Sequence, residues 1–363
     1  MDAHRRLLDF SLALTVLLSM LPLLGMAEPL PEVIRISTGA GSPLTPKLSG
    51  ANSGLTAARQ AVEQEFAADG VRIEWLHPLG GGVASNEALA SGAVDIGYAG
   101  EFPAIFGRAA GLKTRFVGGG FRGNNAYLVV KADSPAHDLA ELKGKRIAIM
   151  KGQPWEYGFD RLLRSKGFTQ ADFKVLNLSL VDSRTALEQG RIDALYAPGV
   201  YGANLAADGR GRILWSTREA PRDWQFAADF FVAEDFAQKY PTAVKRFLKA
   251  VIRVSAWASD PKNGDELFQT WVPQGYSVEQ QWKEYRDSDF LFRFSPIPDP
   301  FLLAHYREVA NYMLENRLIR RPVDINAWVD RSFVDAALRE LQLERHWPEY
   351  DRDGNPLPQV ARQ

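Results

Sequence analysis

The sequence predicts an α/β fold with largely parallel sheets, built as two similar lobes. Two observations predict it. Strand-like and helix-like stretches alternate through most of the chain, and one helix-glycine-strand junction is written twice. With 363 residues the chain is long enough to bury two cores.

Taken in order, residues 33–37 (Val-Ile-Arg-Ile-Ser) read as a strand, followed by a loop rich in Gly, Ser and Pro over 38–54. Leu55, Ala58, Ala61, Val62 and Phe66 have helical spacing, which predicts one helix over 55–68. A strand follows at 71–75, a glycine turn at 80–82, a helix at 83–91 and a strand at 96–98. Further strands are expected at 127–130, 146–150, 174–178, 194–196 and 226–232. Helices are expected between them at 157–166, 183–189 and 199–207. Beyond Asp235 the pattern is helical, over 242–258, 278–285, 301–315 and 330–341, and residues 346–363 read as a loose polar tail.

The repeated junction is Leu89-Ala90-Ser91-Gly92-Ala93-Val94-Asp95-Ile96 against Leu187-Glu188-Gln189-Gly190-Arg191-Ile192-Asp193-Ala194. In each, a glycine takes the left-handed turn that ends a helix, and a β-branched residue then enters a strand beside an aspartate.

The N-terminus reads as a secretory signal. Arg5 and Arg6 precede an apolar run over 10–24, and Gly25-Met26-Ala27 fits a cleavage site, so the mature chain is expected to begin at Glu28. That run is shorter than the roughly 20 apolar residues that span a bilayer. The Arg5-Arg6 pair also matches part of a twin-arginine signal, without choosing between export routes. The chain contains no cysteine, which excludes disulfides, thiolate metal sites and a cysteine nucleophile. A net charge of −1 offers no broad cationic surface for nucleic acid. Nine Trp, 11 Tyr and 20 Phe suit a well-packed core and an aromatic cleft.

Four stretches, in order, carry a resemblance. They are Ser-Gly-Ala-Val-Asp-Ile-Gly-Tyr-Ala-Gly-Glu-Phe-Pro-Ala at 91–104, and Leu-Ala-Glu-Leu-Lys-Gly-Lys-Arg-Ile-Ala-Ile-Met-Lys-Gly at 139–152. The third is Gly190 to Asp193 with Tyr196-Ala197-Pro198. The last is Ala-Glu-Asp-Phe-Ala-Gln-Lys-Tyr-Pro-Thr-Ala-Val-Lys-Arg-Phe-Leu at 233–248. The chain resembles the substrate-binding proteins of ABC importers for sulfonates, nitrate and taurine. That resemblance implies a two-lobed periplasmic-binding-protein fold of type II, with a ligand cleft between lobes. It further implies lobe one over 28–122 and 229–345, lobe two over 123–228, and a monomer that docks a membrane permease. No cofactor is implied. Where many relatives carry Trp-Asp-Pro, this chain has Tyr196-Ala197-Pro198, and Ala197 cannot pair with a taurine-like amine at that spot.

In open α/β sheets ligands sit beyond the carboxyl ends of the strands. The loops there nominate Asn52 and Ser53 before one helix, Gly82 and Ser85 at the start of another, and Glu101 after a strand. From the second lobe come Gln153, Trp155 and Glu156, then Tyr196 and Pro198, with Tyr201 in the same aromatic cluster. Asn124 and Asn125 at the crossover are amide donors, and Arg122 is the cation nearest to them for an anion. The number of aromatics favours an organic sulfonate or sulfate ester over a bare inorganic ion. Nitrate, taurine or a thiamine precursor is the alternative solute, and a periplasmic sensor or adaptor the alternative class. For an enzyme the signals are missing: there is no G-x-S-x-G and no H-E-x-x-H. The five histidines, His4, His77, His137, His305 and His346, are scattered.

Overall fold

A computed structural model describes residues 28–358 apart from 40, 43–44, 50–51, 79 and 287. The expected signal segment, residues 1–27, lies outside the described residues.

Twelve strands form two five-stranded sheets and one hairpin. They are β1 (Val33–Ser37), β2 (Gly41–Ser42), β3 (Thr45–Ser49), β4 (Arg72–Leu76), β5 (Ile96–Gly100) and β6 (Thr114–Asn124). The rest are β7 (Ala126–Lys131), β8 (Arg146–Ile149), β9 (Lys174–Asn177), β10 (Ala194–Pro198), β11 (Gly211–Ser216) and β12 (Phe226–Ala233). The first sheet runs β4-β1-β5-β12-β6 and the second β11-β7-β10-β8-β9. β1 pairs in parallel with β4 and β5, and β8 with β9 and β10. The crossing strands β12 and β7 pair antiparallel with their neighbours, so each sheet is mixed where the sequence predicts mainly parallel pairing. The reason is topological: a strand that enters a lobe from the other one arrives from the opposite end.

Alternate side chains of each central strand enter different cores. In β7, Ala126, Leu128 and Val130 join Phe159, Leu163 and Tyr196 on one face, while Tyr127 and Val129 join Leu187 and Leu205 on the other. A strand covered on both faces is apolar along its buried length, as β7 is from Ala126 to Val130. In the first lobe Ile34, Ile36, Tyr98 and Phe230 pack on Phe247 and Leu248 of the helix Pro241–Ala258. The opposite face is closed by Phe116, Tyr306 and Trp328.

The repeated junction has one geometry in both lobes. Gly92 (φ 72°) and Gly190 (φ 68°) make the left-handed turns. Asp95 Oδ2 then accepts the Arg35 N–H at 2.8 Å, and Asp193 Oδ2 accepts the Arg146 N–H at 2.8 Å. Each aspartate thus accepts a backbone N–H from the neighbouring parallel strand, at the third residue of β1 in one lobe and the first of β8 in the other.

Several expectations need correction. The helix expected over 55–68 is two, Asn52–Ala58 and Ala61–Phe66, broken where Gln60 turns left-handed (φ 51°) and the Gln64 side chain donates to the freed Arg59 carbonyl. The helix Glu101–Ala110 and strands β6 and β11 arise where the sequence gives no clear period. Residues 346–358 are not a loose tail: Trp347 and Tyr350 are buried, Trp347 Nε1 donates to Ser259 Oγ, and the Tyr350 N–H donates to Asp299 Oδ2.

Candidate functional site

A cavity of about 310 Å³ lies between the two sheets at the carboxyl ends of β5 and β10. Three helices begin at its wall without a side-chain cap: Gly81–Ala90, Trp155–Ser165 and Gly199–Ala207. Their first N–H groups carry partial positive charge, a setting for an anion. Glycine is required at Gly82, because a Cβ there would stand 2.4 Å from Pro103 Cγ. The lobes touch at the rim, where Gly100 of the first meets Pro154 of the second.

Of the residues nominated from sequence, Gly82, Asn124, Gln153, Trp155 and Pro198 line the cavity, together with Tyr201. Trp155 packs edge-on against Phe226 and leaves its indole N–H buried without a partner. Asn124 Nδ2 donates to the Phe226 carbonyl at 3.1 Å, which ties the end of β6 to the start of β12.

The other nominated residues serve the scaffold. Asn52 donates to the Gly119 carbonyl and to Ser255 Oγ, pinning its helix to β6. Ser53 Oγ accepts the N–H of Gly39, a cavity residue, so it acts one layer behind the wall. Ser85 is hydrogen-bonded to Ser37 under the sheet. Glu101 faces away from the cavity: its carboxylate accepts the Ala227 N–H at 3.0 Å and meets His305 Nε2 at 3.2 Å. Arg122 is neither a surface residue nor a lining one. It is buried, donates to Asp299 Oδ1 at 2.7 Å and to the Phe292 carbonyl, and stacks on Phe292 and Tyr350. Asn125 bonds Glu284, Thr217 and Gln225. Glu156 caps the turn at Gly152, and burial raises its carboxyl pKa. Tyr196 is a core ring stacked on Trp215, with its hydroxyl pKa pushed up by burial.

What sequence reasoning missed is the contribution of residues 271–293. Trp271, Gln274, Gln281, Glu284, Tyr285 and Arg293 all line the cavity. Arg293 is 4% exposed, its guanidinium lies 4.0 Å over the Tyr285 ring, and Nη1 donates to Ser288 Oγ at 3.0 Å. No carboxylate among the described residues pairs with it, and its Nε is buried without a partner. The indole N–H of Trp271 and the Gln274 amide are likewise unpaired. With Trp155 and the Tyr98 hydroxyl, that makes five unsatisfied groups able to donate around one cavity, an arrangement an anion completes. One signal was present in the sequence: Gln281, Glu284 and Tyr285 fall on one face of the helix Val278–Tyr285, so polar residues share its buried stripe.

The chain is 26% identical over 316 residues to an aliphatic sulfonates-binding protein of Escherichia coli (strain K12), covering 86% of this chain and 93% of that one. It is 29% identical over 220 residues to the taurine-binding periplasmic protein of the same organism, covering 57% and 66%. Among solved structures, a periplasmic sulfonate-binding protein of Methylobacillus flagellatus KT superimposes with a TM-score of 0.75 at 29% identity, covering 90% of this chain and 99% of that one. That superposition takes in 90% of this chain, so the fold built on the two five-stranded sheets is shared with that structure. The family model described as NMT1/THI5 like matches residues 62–263, more than half of the 363, and the chain belongs to that family.

Proposed function

We propose that this chain is the solute-binding component of an ABC importer and that it holds a small organosulfonate or sulfate ester between its lobes. The observation that carries the reading is Arg293, a buried cation at the cavity wall with no carboxylate partner among the described residues. An unpaired buried charge is costly, and a bound anion supplies the missing partner. The unpaired donors of Trp155, Trp271 and Gln274 take further oxygens, while Gly82, Asn124, Gln153 and Pro198 shape the walls.

The names of the relatives support sulfonate as the head group and binding rather than catalysis as the task. The division into lobe one (28–122 and 229–345) and lobe two (123–228) belongs to the same proposal, as do a cleaved signal over 1–27, a monomeric clamp and delivery to a membrane permease. No described helix is long and apolar enough to cross a membrane.

The test is a thermal-shift and calorimetric screen of the chain from Glu28 onward with alkane and aryl sulfonates, sulfate esters, nitrate and pyrimidine precursors. A ligand at 100 times its dissociation constant stabilises the fold by about 2.7 kcal/mol. Stabilisation by sulfonates or sulfate esters is the expected result. Stabilisation by nitrate or a pyrimidine alone would overturn the solute assignment and leave the clamp.

A further inference from the structure

The helix Val278–Tyr285 has two faces that belong to different parts of the molecule. Val278, Trp282 and Tyr285, at i, i+4 and i+7, pack with Phe268 and Phe294 of the first lobe. Trp282 Nε1 also donates to Asp265 Oδ1 at 2.6 Å. Gln280 and Glu284, at i and i+4, reach the second lobe instead. Gln280 Nε2 donates to Asp208 Oδ1 at 3.3 Å. Glu284 Oε1 accepts from Asn125 Nδ2 at 2.9 Å, and its Oε2 accepts from the Tyr127 hydroxyl. Arg218 donates to the Lys283 carbonyl at 3.0 Å and to the Arg286 carbonyl, at the electronegative end of the helix. Five side-chain hydrogen bonds thus join the second lobe to one helix of the first.

The two faces respond differently to a separation of the lobes. Apolar surface regains nothing from water, so the Trp282 and Tyr285 face keeps the helix on the first lobe. Hydrogen-bonding groups exchange a protein partner for water at small net cost, so the other face can let go. The tightest of these contacts is the one between Tyr127 and Glu284, each 2% exposed. Burial, and then the Glu284 charge, push the Tyr127 hydroxyl pKa well up, which keeps it a donor. The same helix turns Gln281, Glu284 and Tyr285 to the cavity, whereas Asn125, Tyr127 and Arg218 lie outside its lining.

We propose that these contacts form a polar latch: Asn125, Tyr127 and Arg218 of the second lobe grip the helix Val278–Tyr285 and thereby favour the closed arrangement of the lobes with no solute present. They are positioning residues, which act on the cavity wall through Glu284 and the helix end rather than by touching a solute. The inference rests on the two-lobed clamp and is independent of which solute the clamp holds.

The experiment measures the distance between two spin labels by pulsed electron spin resonance on the chain from Glu28 onward. The chain has no cysteine, so Ala68→Cys in lobe one and Lys166→Cys in lobe two, both at exposed positions, carry the only labels. Without solute, a short and a long distance are expected together. Tyr127→Phe should shift their ratio about tenfold toward the long one. Arg218→Met, at an exposed position that leaves the fold intact, should shift it less and in the same direction. If added hexanesulfonate shortens the distance while both variants leave the solute-free distribution unchanged, the latch is overturned and the clamp stands. A lower melting temperature in either variant with no change in distance makes the contacts merely structural and overturns the latch as well. One fixed distance in every sample, with and without hexanesulfonate, removes the latch together with the clamp beneath it.

Discussion

The first sheet runs β4-β1-β5-β12-β6, and the second, read from its far edge, β9-β8-β10-β7-β11. In both, three parallel strands are followed by an antiparallel crossing strand and one more. Asp95 and Asp193 occupy the same place in that plan. The walls that the two lobes turn to the cavity are nevertheless unlike. The second lobe offers a helix start, an indole and an apolar rim through Gln153, Pro154, Trp155 and Pro198. The first, with the helical segment 264–293 packed on it, offers the buried charges. Two frames of one plan thus present unlike walls, and on the proposed reading one side would recognise the anion while the other covers it.

That division is tested most sharply by removing one donor from each side. Arg293→Met should weaken sulfonate binding by about 2–5 kcal/mol, the cost of removing one member of a buried charged pair. Trp155→Phe, which removes the indole donor and trims the ring while keeping an aromatic face, should lose less, about 0.5–1.5 kcal/mol for the hydrogen bond. Calorimetry on both variants measures the difference, and equal losses would place the head group on the second lobe as much as on the first.

Closure gives an effect below that of Arg293. Gly100 has backbone angles any residue adopts (φ −68°, ψ 163°), so alanine there leaves each lobe unstrained. Its Cβ would nonetheless stand 2.1 Å from Pro154 Cγ. Gly100→Ala should weaken ligand binding by about 1–3 kcal/mol, the usual range for overpacking. Its ligand-free melting should change little. A loss of ligand-free stability as large as the loss of affinity would place the cost inside a lobe instead.

The smallest effect separates the twin aspartates. Asp193 accepts two side-chain bonds from Arg146 besides the backbone one, and these hold its carboxyl below the usual pKa. Burial instead raises the carboxyl of Asp95, against the opposing backbone bond from Arg35. The signs differ accordingly. The contribution of Asp193 is present above the unfolded value of about 3.9 and lost as pH falls through its lowered one. That of Asp95 is present below the unfolded value and lost as pH rises through its raised one. In urea unfolding at pH 7, Asp193→Asn should cost about 1–2 kcal/mol and Asp95→Asn under about 0.5 kcal/mol. Equal costs would make the two junctions energetically one.

Much of the frame was legible because it rests on local rules. The helix Gly199–Ala207 and the helix Val278–Tyr285 fall where apolar spacing and end signals place them. β6 was not legible. Its three glycines at 118–120 break any alternation, and close contacts demand them: a Cβ on Gly120 would sit 2.0 Å from the Ala228 carbonyl oxygen. At the site, proximity to strand ends found Gly82, Gln153, Trp155 and Pro198. It failed for Glu101 and Arg122, whose charges are consumed by His305 and Asp299, partners some two hundred residues away in sequence. It failed for Arg293 for the converse reason: a helical segment with no strand in it reaches the cavity only through tertiary packing.

Gly100 and Pro154 meet where the two sheets face each other across the cavity, so a closure of the proposed clamp would be read in the distance between the lobes near that point. Because the chain has no thiol of its own, a single cysteine placed there would be the sole site for a reactive dye. On the proposed clamp reading, capture of one small molecule would be written as a mechanical displacement that light can read.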